Sequence, residues 1–232
     1  LPFVVAIAAT VGTLAIVGAA FEYFLFRPVR ERSTREESSM LLAAGTALFL
    51  ESVVLLVFGE KHRGVPPVVS GVVQIGDAFL PYGRLLVMVL SVTMIVLFLG
   101  FMQFTRPGRA MRALAQDRVA AQLQGVDVRL YAVLGFALGA VLAGVAGAML
   151  VSISGVNAGA GTWISIKAFI MVMIGGAGVV MGAIVGGFLL GMVESVGYAV
   201  LPGGGDTYLI IFVALIAFLA IRPQGLMGRP WG

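Results

Sequence analysis

The chain has no cysteine and a single histidine in 232 residues. Without cysteine there is no disulfide framework and no thiolate chemistry, and the redox compartment cannot be read from the sequence. His62, between Lys61 and Arg63, has no second ligand near it for a metal and reads as a solvated loop residue. Charge is scarce as well: 11% of the residues are charged, against about 25% in a typical soluble domain. No Gly-x-x-x-x-Gly-Lys-Ser/Thr stretch occurs, so the chain cannot cradle ATP in the P-loop manner. An intramembrane hydrolase would want a Ser/His pair, paired aspartates or a histidine cluster within its spans. One loop histidine and no such pair argue against it.

What is abundant is apolar. The hydrophobic share is 60% and the mean hydropathy +1.07. Such a chain cannot cover its own surface with polar groups in water, so its solvent is lipid. A bilayer core of about 30 Å needs roughly 20 apolar residues in a helix. Segments at about 2–26, 40–58, 85–104, 131–153, 166–181, 182–200 and 207–221 qualify. The fifth and sixth run together through Gly175-Gly176-Ala177-Gly178 to Gly182, as two short helices with a tight glycine turn or as one broken element. The expectation is an all-α, polytopic membrane helix bundle with about seven visible spans. The opening Leu1-Pro2-Phe3 lacks both a Met and a basic leader, and reads as a start from which an N-terminal portion is missing.

The charges sit between these runs. Arg27, Arg30, Arg32 and Arg35 follow the first segment, and Arg106, Arg109, Arg112, Arg118 and Arg129 follow the third. Arg222 and Arg229 follow the last, so one side holds eleven of the fifteen basic residues if spans alternate. The positive-inside rule places that side, with the C-terminus, in the cytoplasm. The pI near 9.9 therefore reflects topology. Nucleic-acid binding would need a folded basic patch with aromatic stacking partners, and none is visible.

Glycine, at 32 residues, recurs at spacings of four: Gly135 and Gly139, Gly182 and Gly186, Gly187 and Gly191. Small residues at this spacing let membrane helices approach closely. Ionisable groups within spans are costly and are functional candidates by default. Glu51 lies deep in the second segment and Glu194, next to Ser195, deep in the sixth; Lys167 opens the fifth and Glu22 reads as interfacial. Glu194 faces the pathway or pairs with Lys167 across packed helices. Between Ser152 and Trp163 an irregular, gate-like loop is expected. It makes Asn157 and Thr162 pathway candidates, with Trp163 an interfacial anchor.

The stretch from about 105 to 130 is the most informative. Pro107 suits a helix start, Ala110 to Gln116 are good helix formers, and Gly125 fits a C-terminal cap. Met111, Leu114 and Ala115 share one side; Arg109, Arg112 and Gln116 are polar positions. On physics alone, such an element lies on the membrane or docks into a partner's groove.

Ala120-Ala121-Gln-Leu-Gln-Gly125 resembles the loop by which ABC importer permeases seat in their ATPase, although Val119 stands where the general motif has Glu. The run Arg106-Pro-Gly-Arg-Ala-Met-Arg-Ala-Leu-Ala-Gln-Asp117 resembles that loop in the branched-chain amino-acid permeases of LivH type. Lys167-Ala-Phe169, Gly175-Gly176, Gly186-Gly187, Glu194-Ser195 and Arg222-Pro-Gln-Gly-Leu226 follow in the family's order. The resemblance covers essentially the whole chain and implies about two further spans before it.

It also implies a non-enzymatic permease subunit of an ATP-driven importer in the bacterial or archaeal inner membrane. The partners implied are a second, similar permease, two ATPase subunits that bind ATP and Mg, and an extracytoplasmic binding protein. No cofactor is bound by this chain itself. The implied ATPase contact is Arg109, Arg112, Gln116, Asp117, Ala120, Ala121 and Gly125. The pathway candidates stay Glu51, Glu194, Ser195, Lys167, Asn157 and Thr162. An importer of the same family for urea, a short amide or another small solute is the alternative, and a channel without ATP drive a remote one.

Overall fold

A computed structural model of the protein describes residues 2–32, 36–62, 64, 71–75, 78–176, 178–200, 204–222 and 224–228. Arg35, Arg63 and Arg229 of the charge argument lie outside these residues, as do Leu1, Ala177 and Pro223. The described chain is helical throughout except for one hairpin. Among the described residues five helices are long and apolar enough to cross a membrane: Ala8–Arg30, Leu41–Phe58, Tyr82–Phe104, Val128–Ser154 and Val180–Val200. Ala160–Gly175 and Ile210–Ile221 are apolar but shorter. The chain is therefore an all-α, multi-pass membrane protein, and it divides into two compact units, Leu1–Ala158 and Gly159–Gly232.

In the first unit, α1 (Pro2–Phe21) runs into a π-helical turn (Glu22–Phe26) and then α2 (Arg27–Arg32). Pro28 explains the widened turn. It cannot donate to the Phe24 carbonyl and its ring crowds that carbonyl, so the ladder opens and Arg27 donates five residues back to Glu22. Two long helices follow, α3 (Glu36–Phe58) and α4 (Tyr82–Phe104); within their apolar windows no residue is buried, as lipid-facing helices require. Between them Val72–Ile75 and Ala78–Pro81 pair antiparallel, Val72 opposite Pro81, a hairpin that the all-α expectation did not include.

After the short α5 (Arg106–Gln116) and α6 (Arg118–Leu123) comes α7 (Val128–Ser154), which packs on α1. Small residues set that approach. A methyl on Gly18 would meet Ala140 and the backbone of Ala137, and one on Gly144 would strike Leu14. Gly135 and Gly139, expected to serve this purpose, face open space. Glu22, read as interfacial, is buried within the protein. It is 2% exposed and ion-paired to Arg30, the π turn having carried it inward.

The second unit holds α8 (Ala160–Gly175), α9 (Val180–Val200) and α10 (Gly204–Ile221) around Ile170, Leu190, Ile211 and Leu215. The fifth and sixth segments are thus two helices, broken at 176–179 and not near 181, and α8 starts six residues before the expected 166. Glycine explains both shifts. Gly155, at φ +64°, ends α7, and Gly159 then starts α8, so the irregular loop is confined to 155–159. At the other end Gly176 turns at φ +106°, where a side chain is strained. The α8–α9 contact is backbone to backbone, with Gly182 and Gly186 against Gly175 and the Met171 carbonyl.

The closing Arg222-to-Leu226 motif then finishes α8. The Leu226 N–H donates to the Ile174 carbonyl at 2.8 Å and the Met227 N–H to Gly175 at 3.0 Å. Carbonyls that a helix end leaves orphaned are satisfied by a segment some fifty residues later.

Two expected outcomes follow. Gly225, at φ +73°, has the Gly176 nitrogen 2.6 Å from where a Cβ would lie. Gly225→Ala therefore destabilises the purified protein by at least about 1–2 kcal/mol, read as a lower melting temperature, while Gly191→Ala, in open space, leaves it unchanged. Arg30→Met strands the Glu22 carboxylate. The loss is roughly 2–3 kcal/mol, below the about 3–5 kcal/mol of a fully buried pair because Arg30 is 37% exposed. Adding Glu22→Gln to that variant recovers much of it in the same melting assay.

Candidate functional site

The 105–127 segment is built as a bracket with its own corner pieces. Thr105 forms the first. Its hydroxyl donates to the Phe101 carbonyl at 2.7 Å and accepts from the Gly108 N–H at 3.1 Å, so one side chain closes α4 and opens α5. Gly108 permits the sharp approach, since a Cβ there would lie 2.6 Å from the Met102 Cα. Helix α5 then packs on α4 and α7, with Met111 and Leu114 half-buried and Arg109, Arg112 and Gln116 exposed. Arg112 reaches the Gln103 carbonyl at 3.5 Å.

Asp117 is the second corner. Its carboxylate accepts from the N–H groups of Val119 at 2.8 Å and Ala120 at 2.9 Å, an N-cap for α6. Gly125 is the third. The Val126 N–H bonds the Ala121 carbonyl at 3.1 Å and the Gly125 N–H bonds Gln122 at 2.9 Å, the paired bonds of a Schellman cap. That motif needs the left-handed residue that Gly125 supplies at φ +83°. Asp127 repeats the N-cap for α7 through Arg129 and Leu130.

Six of the seven coupling candidates lie exposed on this bracket. Ala121 does not: it is 4% exposed and packs beneath α6, which sets it apart from the outward residues. Its place on the open face is taken by Val119 and Leu123, at 66% and 84% exposed, which the motif reading passed over. The signal was there: Val119, Leu123 and the polar Gln122 bracket the two alanines, and the i, i+4 pair shares a side.

Of the pathway candidates, the structure brings together Lys167 and Glu194. The ammonium lies 2.5 Å from Glu194 Oε1, across α8 and α9, and the Tyr198 hydroxyl lies 3.5 Å from the same oxygen. Pairing, one of the two readings of Glu194, is thus realised. Ser195 is exposed one position on. Glu51 is half-buried in α3, Asn157 is exposed in the 155–159 turn, and Thr162 lies in the first turn of α8 together with the 60%-exposed Trp163. His62 is exposed, as expected, yet its Nε2 lies 3.0 Å from the Ser154 carbonyl, a tie to the end of α7 that composition could not reveal. Among the described residues no group of three His, Cys, Asp or Glu could hold a metal.

A multi-pass helix bundle with a capped, outward-facing helical bracket is the build of a membrane transport component. Comparison with known proteins gives the family. Residues 1–220 match the model described as branched-chain amino acid transport system / permease component. The chain is 34% identical to the high-affinity branched-chain amino acid transport system permease protein BraD of Pseudomonas aeruginosa, over 97% of this chain and 74% of that protein. It is 32% identical to LivH of Escherichia coli K12, over 95% and 73%, and 27% identical to a probable LivH of Methanocaldococcus jannaschii, over 94% and 72%. No solved structure matches. The chain belongs to this permease family, and it is a non-enzymatic membrane permease subunit of an importer.

Asp117→Ala removes the α6 cap, worth about 1 kcal/mol. Hydrogen exchange at the Val119 and Ala120 amides is expected to quicken roughly fivefold, with exchange in the α7 interior unchanged.

Proposed function

We propose that the chain imports branched-chain amino acids across the bacterial or archaeal cytoplasmic membrane, driven by ATP hydrolysed on a separate subunit. The observation that supports it most is the exposed bracket at 105–127, within a chain alike over nearly its whole length to permeases of branched-chain amino acid systems. Eleven of fifteen basic residues fall on the bracket's side under simple alternation, which favours a cytoplasmic bracket and C-terminus.

In this reading the chain is one transmembrane permease domain with a coupling loop at about 105–130. Arg109, Arg112, Gln116, Asp117, Ala120 and Gly125, with Val119 and Leu123, meet the ATPase, and Ala121 supports them from below. A second permease, two ATPase subunits carrying ATP and Mg, and an extracytoplasmic binding protein complete the importer. Caps at its three corners make the bracket stiff, so movement of the ATPase is passed to α4 and α7 and is not absorbed in a soft loop. The proposed solute contacts are Glu51, Ser195, Asn157 and Thr162, while Lys167 and Glu194 neutralise each other and hold α8 to α9.

The test is purification of the full-length protein with its co-purifying chains, followed by reconstitution with the binding protein. Leucine, isoleucine or valine is expected to stimulate ATP hydrolysis, whereas stimulation by urea or a short amide alone would move the substrate class. In the same assay Gly125→Val, a β-branched residue at a left-handed position, leaves insertion intact and reduces stimulated hydrolysis at least tenfold, through a strain of about 1–2 kcal/mol and a displaced bracket. Undiminished stimulation would remove Gly125 from coupling.

A further inference from the structure

A cavity of about 360 Å³ lies in the first unit, where the π turn, α3, α5, α6 and α7 meet. Its polar lining is Glu22, Arg30, Ser39, Tyr131 and the exposed Arg118. Among the described residues of the lining the one carboxylate, Glu22, is held by Arg30, which leaves the Arg118 charge in excess. Neither Arg118 nor the hydroxyls of Ser39 and Tyr131 have a hydrogen-bond or ion-pair partner among the described residues. Phe26, Leu114 and Phe136 line the same cavity. An unpaired guanidinium and two unpaired hydroxyls among apolar side chains fit an anion attached to an apolar body.

The cavity sits where the first span leaves the bilayer beside amphipathic α5, and Phe24, in the same π turn, is 69% exposed. Basic pockets between membrane helices on the cytoplasmic side select acidic headgroups. A free amino acid is a poorer fit, because its ammonium is best met by a carboxylate and the one among the described lining residues is taken. We propose that this cavity binds the phosphodiester headgroup of an acidic phospholipid of the inner leaflet. Arg118, Tyr131 and Ser39 hold the phosphate, and Phe26 and Phe136 take the glycerol and first acyl carbons. The leaflet rests on the cytoplasmic placement of the bracket proposed above; the headgroup chemistry does not.

The full-length permease, purified with its co-purifying chains, is placed in nanodiscs of equal phosphatidylglycerol and phosphatidylcholine, stripped with detergent and weighed by native mass spectrometry. Phosphatidylglycerol is expected to stay bound preferentially. Arg118→Gln lowers its retention roughly five- to tenfold, Tyr131→Phe lowers it less, and Arg118→Lys keeps most of it. Equal retention in wild type and Arg118→Gln, both assembled, overturns the proposal. So does equal retention of phosphatidylcholine, or retained leucine that displaces the lipid. Because the chain has no cysteine of its own, Arg118→Cys reports the side separately. Labelling of intact cells by an impermeant maleimide overturns the inner-leaflet source, whereas labelling only after lysis supports it; lipid retention reads the site in either case.

Discussion

The constraint on which everything else depends is that hydrocarbon offers no hydrogen bonds. A backbone N–H or C=O left open in lipid costs several kcal/mol, so each span must close its own ladder and each break must be repaired by protein. In water the helix ends of this chain would be unremarkable. Here the breaks in the apolar helices, the π turn before Pro28 and the glycine turn after α8, are where the sequence has to supply specific chemistry, and the exposed bracket adds caps of its own at Thr105 and Gly125.

Each repair uses a different device. At Pro28 the helix widens, and the widened turn carries Glu22 inward against Arg30. At Thr105 one hydroxyl serves two helices. At Gly125 a left-handed glycine turns the chain back toward the membrane and lets two N–H groups satisfy α6. At Gly176 no local residue suffices, and Leu226 and Met227 come from afar. Packing follows the same economy. Where backbones nearly touch, as at Gly175 and Gly182, dispersion contacts replace the hydrophobic drive that lipid withholds.

Much of this was legible in the residues. Long apolar runs separated by arginine gave the apolar helices, five of which are long enough to span among the described residues, because length and composition suffice for that inference. Pro107 and Gly125 marked the limits of the bracket, since each has a backbone meaning of its own. What escaped depends on three dimensions. The inward turn of Glu22 needs a π turn that no periodicity announces. The pairing of Lys167 with Glu194 could be named only as one of two readings, since 27 residues of sequence say nothing of distance. Ala121 and Ala120 are chemically identical, and only the helix phase separates the buried one from the exposed one. Gly135 and Gly139 have the right spacing but face open space, so spacing alone does not select the helix face that meets a neighbour.

The bonds from Leu226 and Met227 to the end of α8 also set an order of events. At about 5–20 residues per second, the ribosome needs roughly 3–10 s to go from Gly175 to Met227. Throughout that interval the carbonyls of Ile174 and Gly175 lack the partners they have in the finished fold, while α9 and α10 are already being threaded. Completion of α8 therefore waits on later synthesis, and a nascent chain interrupted before Leu226 carries an open helix end.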